Sequence, residues 1–278
     1  MYEMDISGTI ADWCAWMRGI GRAERTISER QTTLWHFFEF TGTTPESFTQ
    51  RHVVRYLGRK GLKPASRASY YTQVKAFSKW AVLIGLRDDN PMTDLPAPRR
   101  PKCVPRPITN GDFIALLEST PRRPTRMKIM LAALQGLRAH EVAKVRGDDF
   151  DVHAMQLRVQ GKGGGTAVIP LHPGMLELVE AMPKRSWWFP SDLTSTGHVT
   201  AKSVSTVISH AMQRAGVPAT GHQLRHWFGT SLLTSGADLR TVQELMRHES
   251  ITSTQIYTLV PNERRVEALA RLELPKAA

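Results

Sequence analysis

The chain has 278 residues, 41% of them hydrophobic, which is enough to build the core of one large domain or two smaller ones. Its 37 lysines and arginines against 25 acidic residues give a net charge of +12, which favours a polyanionic partner, nucleic acid before a membrane surface. No apolar run is long enough for a transmembrane helix, and Cys14 and Cys103 form neither a disulfide framework nor a zinc-binding spacing. The acidic start MYEMDISGTIADW does not resemble a signal peptide, so we expect a cytoplasmic protein.

Residues 1–95 are predicted to form a small helical bundle. Apolar residues recur every three or four positions in ISGTIADWCAWMRGI and TISERQTTLWHFFEFTG, and Pro45 and Pro64 separate two further helices. The last helix interleaves basic and aromatic side chains, a pattern compatible with a DNA-facing surface, although for any single residue it favours an ordinary solvated face. These residues are Lys63, Arg67, Tyr70, Tyr71, Lys75 and Lys79.

The segment PAPRRPKCVPRP, residues 96–107, is predicted to be a linker. Its five prolines remove helix donors and favour an extended chain, so no helix should cross it. A basic extended linker is compatible with a path along a phosphate backbone and also with a plain surface connector. The chain is therefore expected to divide into residues 1–95 and a second domain, 108–278.

The second domain is predicted to be mostly helical with a small antiparallel β-sheet, which makes the whole protein mainly α. TNGD at 109–112 resembles a capping box that opens one helix, and RMKIMLAALQGL predicts a second. MQLRVQ and TAVIPL alternate apolar and polar residues on either side of GKGGG, a pattern typical of a β-hairpin. The remainder is predicted to be helical.

Four short segments of the second domain carry chemistry-bearing side chains. Taken singly, each has an ordinary explanation: an i,i+3 ion pair in GLRAHE, a solvated lysine in the GKGGG turn, a helix-end histidine or a half-buried tyrosine in MRHESITSTQIYTLV. The two histidines of HQLRH have zinc-ligand spacing, but an arginine lies between them where a glutamate would be expected, which argues against a metal. The residues are Arg138, Glu141, Lys162, His222, Arg225, His226, His248 and Tyr257.

Together these residues suit a phosphate undergoing substitution. Arginine, lysine and histidine donors can hold the equatorial oxygens of a pentacoordinate phosphorus, and the sequence offers no acidic cluster for two magnesium ions. The nucleophile should then come from the chain, with Tyr257 as the candidate. In GHQLRHWFGTSLL the basic residues lie at the start of a predicted helix, an end that is already positive, so an anion is expected there.

In their order and spacing, the four segments resemble the tyrosine recombinase (phage integrase) family. GLRAHE is similar to its GLRxxE box, HQLRH to its HxLRH box, and HESITSTQIYTLV to its histidine-then-tyrosine ending. The resemblance implies that residues 1–95 are a SAM-like domain binding core-type DNA and that 108–278 are the catalytic domain with a carboxyl-terminal tail. It is closest in form to short Xer-like and simple phage integrases, which lack an arm-binding domain.

The resemblance implies a mechanism without metal, ATP or other cofactor. Tyr257 would attack the scissile phosphate and form a 3′-phosphotyrosine, while Arg138 and Arg225 hold its non-bridging oxygens. Lys162 would be the general acid, His222 would assist proton transfer at the nucleophile, and His248 would hydrogen-bond the phosphate. Glu141 and His226 are supporting residues. The implied partners are double-stranded DNA and three further copies of the chain on it, with an excisionase or host DNA-bending factor as an optional addition and no membrane.

The predicted function is therefore site-specific recombination that integrates and excises a phage or similar element, in the bacterial cytoplasm at the nucleoid. A Xer-like chromosome or plasmid dimer resolvase is the alternative within the family; a DNA-binding protein that no longer cleaves and a metal-dependent nuclease are the rivals from other classes. Two departures stand out: Arg247 occupies the position of the family's small residue before His248, and Gln135 precedes GLR. Val266, Leu269 and Leu272 recur at helical spacing, which predicts a short helix in the tail. The resemblance implies that this helix packs on a neighbouring protomer; packing on its own domain is the alternative.

Overall fold

The computed structural model describes residues 6–99, 106–161 and 165–247. Contacts between residues divide the chain into two compact units, Met1–Lys102 and Cys103–Ala278. Among the described residues, none of the helices combines the length and the apolar composition that a membrane span requires.

The described part of the first unit contains four helices: α1 (Ile6–Gly19), α2 (Glu24–Thr41), α3 (Gln50–Leu57) and α4 (Pro64–Leu83). Helix α2 ends where Gly42 adopts a left-handed conformation with φ of 66°, and α4 begins with a proline whose missing N–H costs nothing at that position. Aromatic rings fill the core edge to face, Phe37 lying 5.3 Å from Phe48 and Trp13 lying 5.2 Å from Phe77. The predicted helical bundle is confirmed.

The basic and aromatic residues of α4 do not form one uniform solvated face. Tyr71 is buried and donates its hydroxyl to the Leu95 carbonyl at 2.6 Å, and Arg67 donates to the Leu57 carbonyl at 2.8 Å. Lys75 donates to the Tyr71 hydroxyl at 3.2 Å. Tyr71 and Arg67 therefore join α4 to other parts of the bundle and Lys75 bonds within α4, whereas Lys63 and Lys79 are exposed. Of the predicted linker, residues 100–105 lie outside the described part of the chain.

The second unit contains seven helices and three strands in its described residues. The helices are α5 (Asn110–Glu118), α6 (Arg123–Leu134), α7 (Ala139–Val142), α8 (Leu176–Glu180), α9 (Ala201–Arg214), α10 (Gly221–Thr234) and α11 (Leu239–Leu245). The strands are β1 (Phe150–Asp151), β2 (Gln156–Gln160) and β3 (Thr166–Pro170). The capping box of α5 is confirmed, since the Thr109 and Asp112 side chains each accept the other's backbone N–H at 3.0 Å.

The three strands form an antiparallel sheet in the order β1-β2-β3. The predicted hairpin of β2 and β3 is confirmed, with Leu157 opposite Ile169 and both side chains buried. Strand β1 was not predicted, because two residues are too short to show an alternating pattern. The prediction of helix for the remainder is wrong between α8 and α9. There Pro183 and Pro190 interrupt the chain, Gly197 is left-handed with φ of 71°, and turns replace helix.

The core of the second unit is formed where α6, α9 and α10 pack together against the sheet. Leu131 of α6, Leu157 of β2, Val204 of α9 and Leu224 of α10 are fully buried in it. A smaller cluster of Phe228, Val242 and Met246 joins α11 to α10. This packing brings the turn after α6, the start of α10 and the turn after α11 to one place.

Candidate active site

The GLRAHE segment forms the turn between α6 and α7, and Glu141 organises it. Glu141 is 3% exposed, and its carboxylate accepts the Arg138 backbone N–H at 2.7 Å and the Arg138 Nη1 at 3.1 Å. Burial opposes ionisation of Glu141, but the charges of Arg247 and Arg138 and the hydrogen bonds they donate leave its pKa below the usual range. The carboxylate is thus ionised at neutral pH and fixes the backbone and side chain of Arg138.

Gly136, two residues before Arg138, occupies a position that strongly favours glycine. It is left-handed with φ of 58°, and a Cβ there would lie 2.5 Å from Cδ1 of the Phe228 ring on α10. The close approach directs the Gly136 carbonyl toward two guanidinium groups, those of Arg225 and Arg247. The glycine of the GLR box therefore sets the distance between the α6–α7 turn and α10.

Arg225 is buried, at 2% exposure, in the second turn of α10. Its Nη1 donates to the Gly136 carbonyl and its Nη2 to the Met246 carbonyl. Arg225 lies on the same side of α10 as His222, with which it lines one cavity, and the structure buries its guanidinium there. The burial is tolerated because backbone carbonyls accept from the guanidinium and satisfy the buried charge.

His222 and His226 lie one turn apart at the start of α10. Their ring centroids are 4.4 Å apart, in an edge-to-face arrangement. Desolvation and the charges of Arg225 and Arg138 lower the pKa of His222. Desolvation, with His222 and Arg225 nearby, lowers the pKa of His226 to about 4. Both imidazoles are neutral at pH 7, so each can accept a proton or a hydrogen bond.

Three of the predicted residues line one cavity of about 200 Å³: Arg138, His222 and Arg225. The cavity lies between the α6–α7 turn, α9 and the start of α10, with Ser205 of α9 on its wall. Glu141 and His226 support it from behind through the contacts described above. Three further predicted residues, Lys162, His248 and Tyr257, lie outside the described residues.

The structure adds Arg247 to this site, which the sequence had marked only as a departure from the family's pattern. Its Nη2 donates to Glu141 Oε2 at 2.8 Å, and its carbonyl accepts from Arg138 Nη2 at 3.1 Å. The sequence did carry a signal for Arg247, because a long charged residue stands there at a turn position where the family usually has a small one. The second departure, Gln135, is buried with its amide between the Pro170 carbonyl and the His172 N–H, which joins the α6–α7 turn to the end of β3.

A larger cleft of about 640 Å³ lies beside the sheet, where Phe150 stacks on Trp188 at 4.2 Å. Its described walls include Asp149 and Arg158 but none of the predicted site residues. Within residues 6–99, 106–161 and 165–247, no three histidine, cysteine or acidic side chains are grouped closely enough to hold a metal ion. The cluster of arginines and histidines at the 200 Å³ cavity is therefore the better candidate for chemistry.

Comparison with known proteins gives one family match and three similar proteins. Residues 112–264 match the profile of the phage integrase family. Tyrosine recombinase XerD of Listeria innocua is 30% identical over 271 residues, covering 88% of this chain and 91% of that protein. The integrase from mycobacterium phage Brujita is 42% identical, with 96% of this chain and 92% of that chain covered and a TM-score of 0.52. The fold is shared with a lambda integrase tetramer bound to a Holliday junction, with a TM-score of 0.73. The identity is 17%, and the match covers 88% of this chain and 77% of that one.

Proposed function

The chain belongs to the phage integrase family, the tyrosine recombinases, and from this premise we propose that it cuts and rejoins double-stranded DNA with Tyr257 as its nucleophile. The Tyr257 oxygen attacks the scissile phosphorus, the 5′-oxygen leaves, and a 3′-phosphotyrosine keeps the energy of the broken ester. The 5′-hydroxyl of another strand later reverses the attack. The observation that carries the proposal is the cavity lined jointly by Arg138, Arg225 and His222.

The two arginines fit the charge that develops on phosphorus. In the transition state the charge spreads over the equatorial oxygens, and guanidinium groups match them with paired N–H donors. Arg225 is held by two backbone carbonyls, and Arg138 by Glu141, so both positive charges are in place before DNA arrives. Donors that need no reorganisation lower the barrier most. Arg138 and Arg225 are thus proposed to hold the non-bridging oxygens.

The remaining roles rest on the match to the family's motifs. Neutral His222 is suited to accept the proton of the attacking hydroxyl, since the lowered pKa of its imidazole keeps a nitrogen lone pair available at pH 7. Lys162 is proposed as the general acid for the 5′-oxygen and His248 as a donor to the phosphate. Glu141 and His226 are proposed to act through the side chains they contact, Arg138 and His222.

For the biological reaction we propose integration and excision of a phage or similar element. The identity of 42% to a phage integrase over 96% of the chain supports this more strongly than the 30% identity to XerD supports dimer resolution. Residues 1–95 are proposed to bind the core-type sites and 108–278 to cleave them, joined by the linker at 96–107. The reaction would use four protomers on DNA in the bacterial cytoplasm, with an excisionase or DNA-bending factor setting direction.

The first experiment traps the covalent intermediate. The full chain is incubated in EDTA with a nicked suicide substrate carrying its suspected core site, and a denaturing gel is scored for a protein–DNA band, with Tyr257→Phe in parallel. We expect a band that is lost in the variant. A band that survives in Tyr257→Phe refutes the nucleophile, and a band that needs a divalent metal refutes the mechanism. A gel shift without a band in either protein identifies a DNA-binding protein that does not cleave.

The second experiment separates the two reactions within the family. Plasmids carrying two different attachment sites, or two identical core sites in direct repeat, are offered to the protein alone, and product plasmids are mapped. Integration predicts efficient joining of unlike sites and a block to the reverse reaction until an excisionase is supplied. Efficient recombination of identical sites in both directions instead supports dimer resolution.

A further inference from the structure

Arg247 stands in a backbone conformation that side chains rarely adopt. Its φ is 51°, in the left-handed region, directly after α11 and directly before His248. Its Nε is buried without a hydrogen-bond partner among the described residues. A long charged side chain at such a position needs a compensating interaction.

That interaction is with Glu141, 106 residues away in sequence. Arg247 Nη2 lies 2.8 Å from Glu141 Oε2, and the two side chains are 13% and 2% exposed. The same guanidinium donates to the Leu245 carbonyl at 3.0 Å and to the Gly136 carbonyl at 3.4 Å. A single side chain therefore joins the turn after α11 to the turn between α6 and α7.

The ion pair changes what Glu141 does to Arg138. The carboxylate also accepts from Arg138 at 3.1 Å, so two guanidinium groups share one buried negative charge. Without the Arg247 guanidinium, Glu141 would have Arg138 as its only ionic partner among the described residues. With Arg247 in place, the attraction is divided, and Arg138, whose side chain is 34% exposed, keeps positive charge directed to the cavity.

We propose that Arg247 is a positioning residue: by pairing with Glu141 it holds Arg138 in register for the scissile phosphate and fixes the turn that leads into His248. The Arg138 Nη2 bond to the Arg247 carbonyl, at 3.1 Å, closes the same arrangement from the other side. This inference rests on the proposed function, because it concerns the phosphate that Arg138 is proposed to hold. Arg247 itself acts through Glu141.

The test uses five variants of the full chain on the nicked suicide substrate. Arg247→Gly removes the guanidinium and also the left-handed penalty, so the fold is not strained by the change. Arg247→Lys keeps the charge. Glu141→Gln and the double variant of Glu141→Gln with Arg247→Gly complete a double-mutant cycle. Arg240→Ala is the matched control, because it removes one arginine from the neighbouring exposed pair of Arg240 with Glu244. Cleavage rate at saturating DNA and DNA affinity by gel shift are measured separately.

We expect Arg247→Gly to cleave about tenfold to a hundredfold more slowly at saturating DNA, with affinity little changed, since a small misplacement of a binding group costs rate of this order. Arg247→Lys should recover part of the rate, Arg240→Ala should keep all of it, and Arg247→Gly should cost much less in the Glu141→Gln background. An unchanged rate in Arg247→Gly, a loss confined to affinity, additive losses in the cycle, or an equal loss in Arg240→Ala would each overturn the proposal.

A measurement without DNA separates this proposal from the proposed function. Hydrogen exchange of the peptide containing Arg138, whose N–H is held by Glu141 at 2.7 Å, should be faster in Arg247→Gly than in the wild type. Equal exchange overturns the positioning role even where cleavage is seen. Absence of a Tyr257-dependent covalent band in the wild type instead counts against the proposed function, and the exchange result then stands by itself.

Discussion

Replacing Gly136 by alanine tests whether the close approach of the α6–α7 turn to α10 holds the site together. Two costs add. The left-handed conformation, with φ of 58°, costs an alanine about 1–2 kcal/mol. The new Cβ would also lie 2.5 Å from Phe228 Cδ1 and 2.6 Å from its Cε1, and overpacking of this kind costs about 1–3 kcal/mol. We therefore expect Gly136→Ala to lower the free energy of unfolding by about 2–5 kcal/mol.

Gly216→Ala is the matched control, because Gly216 belongs to the same unit, has φ of 71° and has open space within 4 Å of where the alanine Cβ would lie. It should cost only the conformational part, about 1–2 kcal/mol. The difference in the free energy of unfolding is measured by urea unfolding of the wild type and both variants, using the transition of the second unit as the signal. Equal shifts for the two variants would refute the argument that contact with Phe228 adds to the cost of a side chain at Gly136.

Three further predictions concern the site and the helix that opens its domain. Arg225→Lys replaces the planar guanidinium, whose two nitrogens donate to the Gly136 and Met246 carbonyls, by a single ammonium nitrogen that cannot keep both contacts in the same geometry. We therefore expect about 1–3 kcal/mol lower stability by urea unfolding and at least about a tenfold weaker covalent band on the suicide substrate. Folding lowers the pKa of His226 from its ordinary value of 6.5 to about 4. Between these two pH values the unfolded state therefore binds more protons than the folded state. The contribution of His226 to stability is then complete above pH 6.5 and is lost as the pH falls, by about 1–2 kcal/mol at about pH 5. In unfolding experiments at pH 6.5 and about pH 5, His226→Gln should reduce the difference in stability between the two pH values. Thr109→Ala removes the cap of α5 and should cost about 1 kcal/mol in the same assay, whereas an unchanged midpoint would show that the cap is not needed.

Local patterns in the sequence predicted most elements of this fold, but they missed β1 and the turns between α8 and α9. The capping box at Thr109, the hairpin around GKGGG and the helix that begins at Gly221 each depend on residues within a few positions of one another. Such features follow from backbone sterics and from the alternation of apolar side chains. The family's motifs added Lys162, His248 and Tyr257, which remain predictions because they lie outside the described residues.

The contacts within the site could not be predicted in this way, because their partners are far apart along the chain. Arg225 is buried because it meets carbonyls 89 and 21 residues away, and helical spacing alone could not reveal those partners. Likewise Arg247 meets Glu141 across 106 residues. A charged residue has no preferred burial until its acceptors are known, so these positions are decided by tertiary packing.

The two arginines of the cavity are held by different kinds of acceptor, and this difference would give them different parts in the phosphate binding that we propose. Arg225 is 2% exposed and fixed by neutral backbone carbonyls, which orient its charge without neutralising it. Arg138 is 34% exposed in its side chain and is held by a carboxylate that it shares with Arg247. A phosphate entering the cavity therefore meets one fixed cation and one whose strength depends on how Glu141 divides its charge. Substitutions at Glu141 or Arg247 should consequently change the contribution of Arg138 while leaving that of Arg225 intact.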